Sequence, residues 1–273
     1  MAPVASSSLP ARGDSVRSLG LELPPTAPLR GGRPLKHWRY VGVYTPELML
    51  CVGDARVGPV PQRWWALALP DGTLRERTTV GRGGVRLDGS RVLVDTRGVR
   101  VDIELRESAG VEIVSPHGAG WIWTRKQANV PARGTVTLDG EERTIDDMAF
   151  VDDSAGYHAR RTAWRWSAGH GRLQDGRAVG WNLVAGVHDG EPSERTVWLD
   201  GNPHEVGAVE FAEDLSRVGE LAFTAWSERR DRTNLLLFRS DYRQPFGVFR
   251  GELPGGLGLA EGYGVMEEHD VRW

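Results

Sequence analysis

The sequence has 273 residues and a formal net charge of -3, and its basic residues are dispersed along the chain. This charge excludes the basic surface typical of nucleic-acid-binding proteins, and no stretch approaches the ~20 apolar residues of a membrane-spanning helix. The single cysteine, Cys51, excludes an intrachain disulfide and is typical of a reducing compartment, so we expect a cytoplasmic protein.

The first 30 residues differ in composition from the rest of the chain. They are rich in serine and proline and contain no apolar run like the core of a signal peptide. Pro10, Pro24, Pro25 and Pro28 interrupt regular structure, and few side chains here can be buried. We therefore expect residues 1–30 to form a disordered N-terminal lead.

From Leu35 onward, apolar and polar residues alternate in short runs, as in the stretch from Val99 to Leu105. A period of two is typical of β-strands that bury one face. The runs are separated by Asp-Gly pairs, which favour tight hairpin turns. These pairs begin at Asp71, Asp88, Asp139, Asp175, Asp189 and Asp200. The pattern predicts an all-β fold, either a sandwich or a barrel.

An internal repeat indicates a duplicated β unit. Residues 71–78 and 189–196 share five of eight residues, and a Val-x-Leu-Asp-Gly segment follows each copy. We divide the folded body into an N-terminal β unit, residues 31–144, and a C-terminal β unit, residues 145–273. A ligand site is expected near the junction of the two units.

A stretch near the middle of the chain carries the candidate chemistry. It contains the adjacent Asp152 and Asp153, then His158, and it is followed by Trp164 and Trp166. Neighbouring residues of a strand point to opposite faces, so at most one aspartate lines a cavity. Burial among indoles raises the pKa of a carboxyl and lets it act as an acid near neutral pH. Alternatively, the two aspartates cap a turn.

The other candidate residues also have two interpretations. His158 either relays a proton or hydrogen-bonds a neighbouring strand. Aromatic side chains at i, i+2 spacing suit a cavity wall or an ordinary core, and a buried amide suits a ligand contact or a polar network. These residues are Trp121, Trp123, Trp164, Trp166 and Asn182. The spacing of the seven histidines does not indicate a metal site. The sequence contains no dinucleotide-binding or Walker motif, so we expect no cofactor.

Several short segments form a distinctive set: Asp152-Asp153-Ser154-Ala155-Gly156, Trp164-Arg165-Trp166, Gly180-Trp181-Asn182-Leu183 and Val197-Trp198-Leu199-Asp200-Gly201, with residues 33–42 and 262–267 near the ends. Together they resemble the bacterial family called domain of unknown function 2804. This family is similar to the lipocalin-like superfamily of carotenoid 1,2-hydratases, tocopherol-cyclase-like proteins and Diels-Alderases. The resemblance implies two tandem lipocalin- or calycin-like antiparallel β units, barrels or half-open sandwiches, packed together around a ligand cavity.

The resemblance to the hydratases also implies a role for individual residues. Their proton-donating aspartate corresponds to Asp152. Phe150 stands where the hydratases carry a tyrosine, so we add it to the candidate substrate-binding residues. Ser154 and Trp121 replace an asparagine and a histidine of the hydratase pattern.

We therefore expect a cofactor-independent enzyme of hydratase, isomerase or cyclase type, which acts on an apolar small molecule by acid catalysis in a tryptophan-lined cavity. The catalytic candidates are Asp152, Asp153 and His158. A noncatalytic lipid or isoprenoid binder needs the same cavity without the acid. A glycoside-active enzyme would need two carboxyls at a defined separation across a cleft. Glu267, near the end of the last strand, is expected to be solvated.

Overall fold

The computed structural model describes residues 9–81, 83–234 and 238–273, and its regular structure is almost entirely β-strand. One short helix and thirteen strands lie in the described residues before residue 157: β1 (Ala11–Arg12), α1 (Asp14–Arg17), β2 (Leu29–Arg30), β3 (Arg33–Pro34), β4 (Lys36–Tyr44), β5 (Met49–Val57), β6 (Val60–Ala68), β7 (Leu74–Val80), β8 (Val85–Asp88), β9 (Arg91–Thr96), β10 (Val99–Leu105), β11 (Val111–His117), β12 (Gly120–Leu138) and β13 (Glu141–Gly156). Eight described strands follow: β14 (Arg161–Leu173), β15 (Ala178–Ala185), β16 (Thr196–Leu199), β17 (Asn202–Glu205), β18 (Arg217–Val218), β19 (Glu220–Asn234), β20 (Arg239–Leu253) and β21 (Leu257–Arg272).

The described strands form two large curled antiparallel sheets and one two-stranded sheet of β2 and β3, so the predicted all-β fold of two packed antiparallel units is confirmed. The first sheet has the order β7-β6-β5-β4-β13-β12-β10-β9-β8, and β11 pairs with β12 and β1. The second has the order β17-β16-β15-β14-β21-β20-β19-β18. In β10 the burial pattern alternates residue by residue, as expected for a strand with one face in the core.

The two sheets share one topology. In each, the first long strand pairs with the last, β4 with β13 and β14 with β21, and the remaining strands extend outward on both sides of this central pair. The sequence repeat does not follow this correspondence. Asp71-Gly72 lies in the turn between β6 and β7, whereas Asp189-Gly190 lies in the loop between β15 and β16. The structural duplication is therefore real at the level of topology, and the short sequence match is not aligned with it.

The boundary between the sheets does not coincide with the predicted unit boundary. The division at residues 144 and 145 falls within β13, because the long hairpin of β12 and β13 continues without a break to Gly156. The first sheet therefore includes residues that the sequence analysis assigns to the C-terminal unit. The second sheet begins at Arg161, after a short connection.

Tight turns form at most of the Asp-Gly pairs, as predicted. Five of the six pairs connect neighbouring antiparallel strands, and Asp189-Gly190 lies instead in a longer loop. At Asp139-Gly140 both residues have positive φ, 50° and 94°, which is the geometry of a two-residue hairpin whose twist matches its strands. Glycine has no Cβ and adopts this conformation without strain.

The N-terminal segment differs from the disordered lead expected from the sequence. Residues 1–8 lie outside the described residues, but β1 pairs with β11 and Val16 of α1 is buried. Val16 belongs to an apolar cluster with Trp121 and Trp123 of β12. The segment is ordered because its few apolar residues cover one face of the first sheet, an effect that composition alone does not reveal.

The two sheets pack against each other through a shared apolar cluster. It contains Tyr40, Cys51 and Phe150 from the first sheet and Trp166 and Phe246 from the second. Cys51 is fully buried. Because both sheets contribute to this cluster, the inner faces of β4, β13, β14 and β21 meet at the centre of the molecule.

Candidate functional site

A cavity of about 190 Å³ lies between the two sheets. Its wall is rich in aromatic side chains from both sheets: Trp38, Tyr40, Trp64, Trp164, Trp166, Tyr242 and Trp273. Trp38 of β4 and Trp164 of β14 stack across the junction with their planes 5° apart and their centroids 6.4 Å apart. The cavity therefore offers indole faces to an apolar ligand.

Asp152 enters this cavity from β13. Strand alternation directs Asp152 and Ser154 inward, and Asp153 points to the opposite face. Asp152 pairs in register with Lys126 of β12, and the Lys126 Nζ atom lies 2.6 Å from the Asp152 Oδ1 atom. Burial raises the pKa of the Asp152 carboxyl, and this effect outweighs the neighbouring Lys126, which lowers it.

Lys126 links Asp152 to a second buried carboxylate. Its Nζ atom lies 3.6 Å from Glu194 Oε1, and the Thr124 hydroxyl donates a 2.9 Å hydrogen bond to Glu194 Oε2. Burial alone would raise the pKa of Glu194, but Lys126 and the other neighbours lower it overall. Burial likewise disfavours the Lys126 ammonium, yet the two carboxylates raise its pKa. Glu194 and Lys126 are thus held charged, and Asp152 is the member of the cluster that binds a proton most readily.

Glu267 stands on the second sheet, on β21, and also lines the cavity. The Trp164 indole N–H donates to Glu267 Oε1 at 2.8 Å, and the Tyr242 hydroxyl and Gln244 amide donate to Oε2 at 2.9 Å and 3.0 Å. Burial raises the Glu267 pKa, the donors from Trp164 and Tyr242 oppose this, and the charge of Asp152 raises it further. The expectation that Glu267 is solvated is wrong, because β21 turns this side chain into the junction.

Arg229 is the buried guanidinium of the cavity wall. It forms an ion pair with Glu76, 3.0 Å from Nε to Oε2, and donates a 2.8 Å hydrogen bond to Thr78. Its guanidinium carbon lies 5.0 Å from the centroid of Tyr242 and 5.7 Å from that of Trp64. The cation is therefore held between two aromatic rings, which fixes this side of the wall.

His158 lies in the connection between the sheets and lines the cavity. Its ring is packed against Trp38 and Trp273, with centroids 5.1 Å and 6.2 Å apart. Burial, followed by the charge of Lys36, lowers the His158 pKa well below its usual range, so the imidazole is neutral. Within the described residues its Nδ1 atom is buried without a hydrogen-bond partner.

The structure brings together some of the predicted site residues. Asp152, His158, Trp164 and Trp166 line the cavity. Asn182 and Phe150 support it from behind: Asn182 accepts a 2.7 Å hydrogen bond from the Trp166 indole, and the Phe150 ring packs on Trp166.

Three predicted residues lie elsewhere. Asp153 is held on the outer face by Arg39 and Arg125, with the closest contact 2.6 Å from Arg125. Trp121 and Trp123 pack beneath the N-terminal segment, because the odd-numbered residues of this part of β12 face away from the cavity. Their even-numbered neighbours Thr124 and Lys126 face it instead.

Sequence reasoning missed Lys126, Glu194, Glu267 and Arg229. The sequence contains a signal for Lys126, because it follows Ile122 and Thr124 at the spacing of a strand face. In the structure it lies opposite Asp152. Glu194 lies in a loop, so no strand periodicity marks it in the sequence. Among the described residues, no group of three or more His, Cys, Asp or Glu side chains is arranged to hold a metal ion. None of the described helices is long and apolar enough to cross a membrane.

Comparisons with known proteins agree with this architecture. The profile of a family described as a domain of unknown function (DUF2804) matches residues 73–273. An AttH-like protein from Nitrosomonas europaea superposes with a TM-score of 0.50 at 13% identity, over 91% of this chain and 96% of the other. Kievitone hydratase from Nectria haematococca superposes with a TM-score of 0.52 at 10% identity, over 89% of each chain. No curated protein sequence matches the chain. At these identities the likeness shows a common fold.

Proposed function

Since the chain belongs to the family described as a domain of unknown function (DUF2804), its activity must be inferred from its site, and we propose a cofactor-independent enzyme of hydratase, isomerase or cyclase type. Its substrate is an apolar small molecule, and its chemistry is acid catalysis. The observation that carries this proposal is the carboxyl of Asp152, a residue that is 8% exposed, in a cavity walled by indoles.

The charge balance of the cavity supports Asp152 as the acid. Lys126 carries one positive charge between the carboxyls of Asp152 and Glu194. With both carboxyls ionised, these three groups bear a net negative charge, which is costly in a buried site. One proton removes that charge, and it belongs on Asp152 because burial raises its pKa while the pKa of Glu194 is lowered.

The tryptophans supply the second requirement of such a reaction. Protonation of an alkene by Asp152 creates positive charge on carbon, and the faces of Trp164 and Trp166 stabilise a cation through their negative quadrupole. The same rings exclude bulk water, which limits unwanted capture of the cation. The shared fold of kievitone hydratase, whose name states that it hydrates kievitone, supports a hydratase as the first reaction to test.

A mass-spectrometric screen tests the proposal. The purified protein is incubated with kievitone, farnesol and squalene in ordinary and deuterated water. A hydratase yields a product heavier by one water, and an isomerase or cyclase yields a product with deuterium on carbon. The competing function, noncatalytic binding of a lipid or isoprenoid, predicts saturable quenching of indole fluorescence with no product from any bound compound. The same outcome with any compound that copurifies with the protein would contradict catalysis.

A further inference from the structure

We infer that Glu267 is a second catalytic carboxyl of the cavity, which stabilises positive charge on the substrate and then accepts a proton. This inference rests on the proposed acid chemistry and deepens it. Asp152 enters the cavity from the first sheet and Glu267 from the second, so a substrate in the cavity meets carboxyls from both sheets. Both residues are 8% exposed.

The contacts of Glu267 fix its carboxylate in one orientation. Three neutral donors, from Trp164, Tyr242 and Gln244, reach its two oxygens within 3.0 Å. Gln244 is itself fully buried, and its amide oxygen lies 3.6 Å from the Cys51 sulfur. These donors favour the ionised form of Glu267 against the burial that raises its pKa, and they hold the carboxylate in place, so it needs little rearrangement when a cation forms beside it.

The position of Glu267 relative to the indoles suits a cationic intermediate. Glu267 pairs in register with Trp166 across β14 and β21, and its Oε1 atom accepts the Trp164 N–H. The two indoles that would face the cation are thus the two that flank this carboxylate. A carboxylate and an aromatic face together stabilise a buried cation more than either group alone.

The resulting hydration step is balanced. Asp152 transfers its proton to one alkene carbon, and the π electrons form the new C–H bond. Water adds to the cationic carbon through an oxygen lone pair, and Glu267 takes the proton that this water loses. The product is the substrate plus one water, with Asp152 ionised and Glu267 protonated. The enzyme resets when Glu267 releases its proton and Asp152 gains one through solvent. In an isomerisation, Glu267 instead removes a proton from the adjacent carbon.

A purely structural Glu267 would make the same three hydrogen bonds, so the test must detect its charge. The probes are N,N-dimethyldecylamine, which is protonated at neutral pH, and its neutral isostere with a CH group in place of the nitrogen. Binding is measured by displacement of a fluorescent apolar dye. Wild-type protein is expected to prefer the ammonium by roughly tenfold or more, about 1.4 kcal/mol.

The decisive variant is Glu267→Gln, which keeps the shape and removes the charge. We expect it to lose about tenfold in ammonium affinity and to bind the isostere within about twofold. The matched control is Glu268→Gln, because Glu268 is the next residue of β21 and pairs with Arg165 on the outer face at 2.8 Å. This control is expected to keep the ammonium preference. An unchanged preference in Glu267→Gln would overturn the inference.

A second variant keeps the inference testable if Glu267→Gln does not fold. Tyr242→Phe removes one of the donors that lower the Glu267 pKa, so the carboxyl holds a proton more readily and the preference for the ammonium over the isostere is expected to fall. An unchanged or stronger preference would contradict the role of Glu267. These measurements need no turnover, so they separate this inference from the proposed function. If the wild type converts a substrate and Glu267→Gln converts it equally fast, only the inference on Glu267 fails.

Discussion

Lys126 is the residue on which the electrostatics of the cavity depend. Its side chain is 5% exposed, and its ammonium lies between two carboxyls at 2.6 Å and 3.6 Å. A buried ion pair contributes little net stability compared with well-packed apolar residues, but loss of one partner leaves an uncompensated charge. The fold therefore tolerates this cluster only while all its members are present.

The first prediction follows from this dependence. Lys126→Met is expected to lower the free energy of unfolding by about 3–5 kcal/mol, because Asp152 and Glu194 lose their common cation. Adding Asp152→Asn and Glu194→Gln to that variant should recover most of the loss. Urea denaturation measures both changes. Arg100→Met, which breaks the exposed pair with Asp95, is the control and should cost less than about 1 kcal/mol. A Lys126→Met protein as stable as this control would argue against a buried charge cluster.

The directions of some side chains could be predicted from the sequence. Alternation places at most one of Asp152 and Asp153 in the cavity, and the resemblance to the hydratases points to Asp152, which lines it. Trp121 and Trp123 share a face as predicted, but alternation does not say which face meets the cavity. Glu267 was missed because an acidic residue near a chain end suggests solvent, and only the opposing sheet buries it.

At the level of elements, paired glycines shape the centre of the second sheet. Gly169 opposes Gly264, and Gly171 opposes Gly262, across β14 and β21. A Cβ atom on Gly264 would lie 2.2 Å from the Ala168 carbonyl oxygen and 2.7 Å from the Gly169 Cα atom. These strands therefore approach too closely at this point for any side chain. The strands themselves could be predicted from alternation, but this close approach depends on sheet curvature, which the sequence pattern does not encode.

The second prediction concerns this close approach of β14 and β21. Gly264→Ala is expected to lower the free energy of unfolding by about 1–3 kcal/mol, since the added methyl group meets backbone atoms rather than a movable side chain. Gly207→Ala is the control, because a Cβ atom there meets nothing within 4 Å, and it should change stability by less than about 0.5 kcal/mol. Thermal and urea unfolding compare the two. Equal free energies of unfolding for the two variants would contradict this prediction, because β14 and β21 would then accommodate the methyl group without loss of stability.

For the whole molecule, the cavity and the shared core make the two sheets interdependent. Trp166 packs edge-on against Tyr40 and Phe150 of the first sheet, with centroids 5.5 Å and 5.6 Å away. Tandem β units could be predicted from the sequence, since turns and alternation recur along the chain. Their junction could not be predicted, because the connection falls after β13 and the repeat that suggested it is out of register with the strands.

The third prediction is that the two sheets form one cooperative body. A fragment of residues 157–273 exposes the inner faces of β14 and β21, so we expect it to bind hydrophobic dyes and to lack a sharp melting transition. The full chain should unfold in one transition. Circular dichroism and dye binding measure both. A soluble, sharply melting fragment would indicate independent domains.

The role of Asp152 as the acid of the cavity is tested by comparing Asp152→Asn with Asp153→Asn on a substrate that the wild type converts. Asp152→Asn keeps the shape of the side chain and removes its proton, so turnover should fall by about 10²-fold or more while ligand binding persists. Asp153→Asn disturbs the outer pairs with Arg39 and Arg125, so it should lower stability but leave the turnover of folded protein nearly unchanged. Unchanged product formation by folded Asp152→Asn protein would contradict the account.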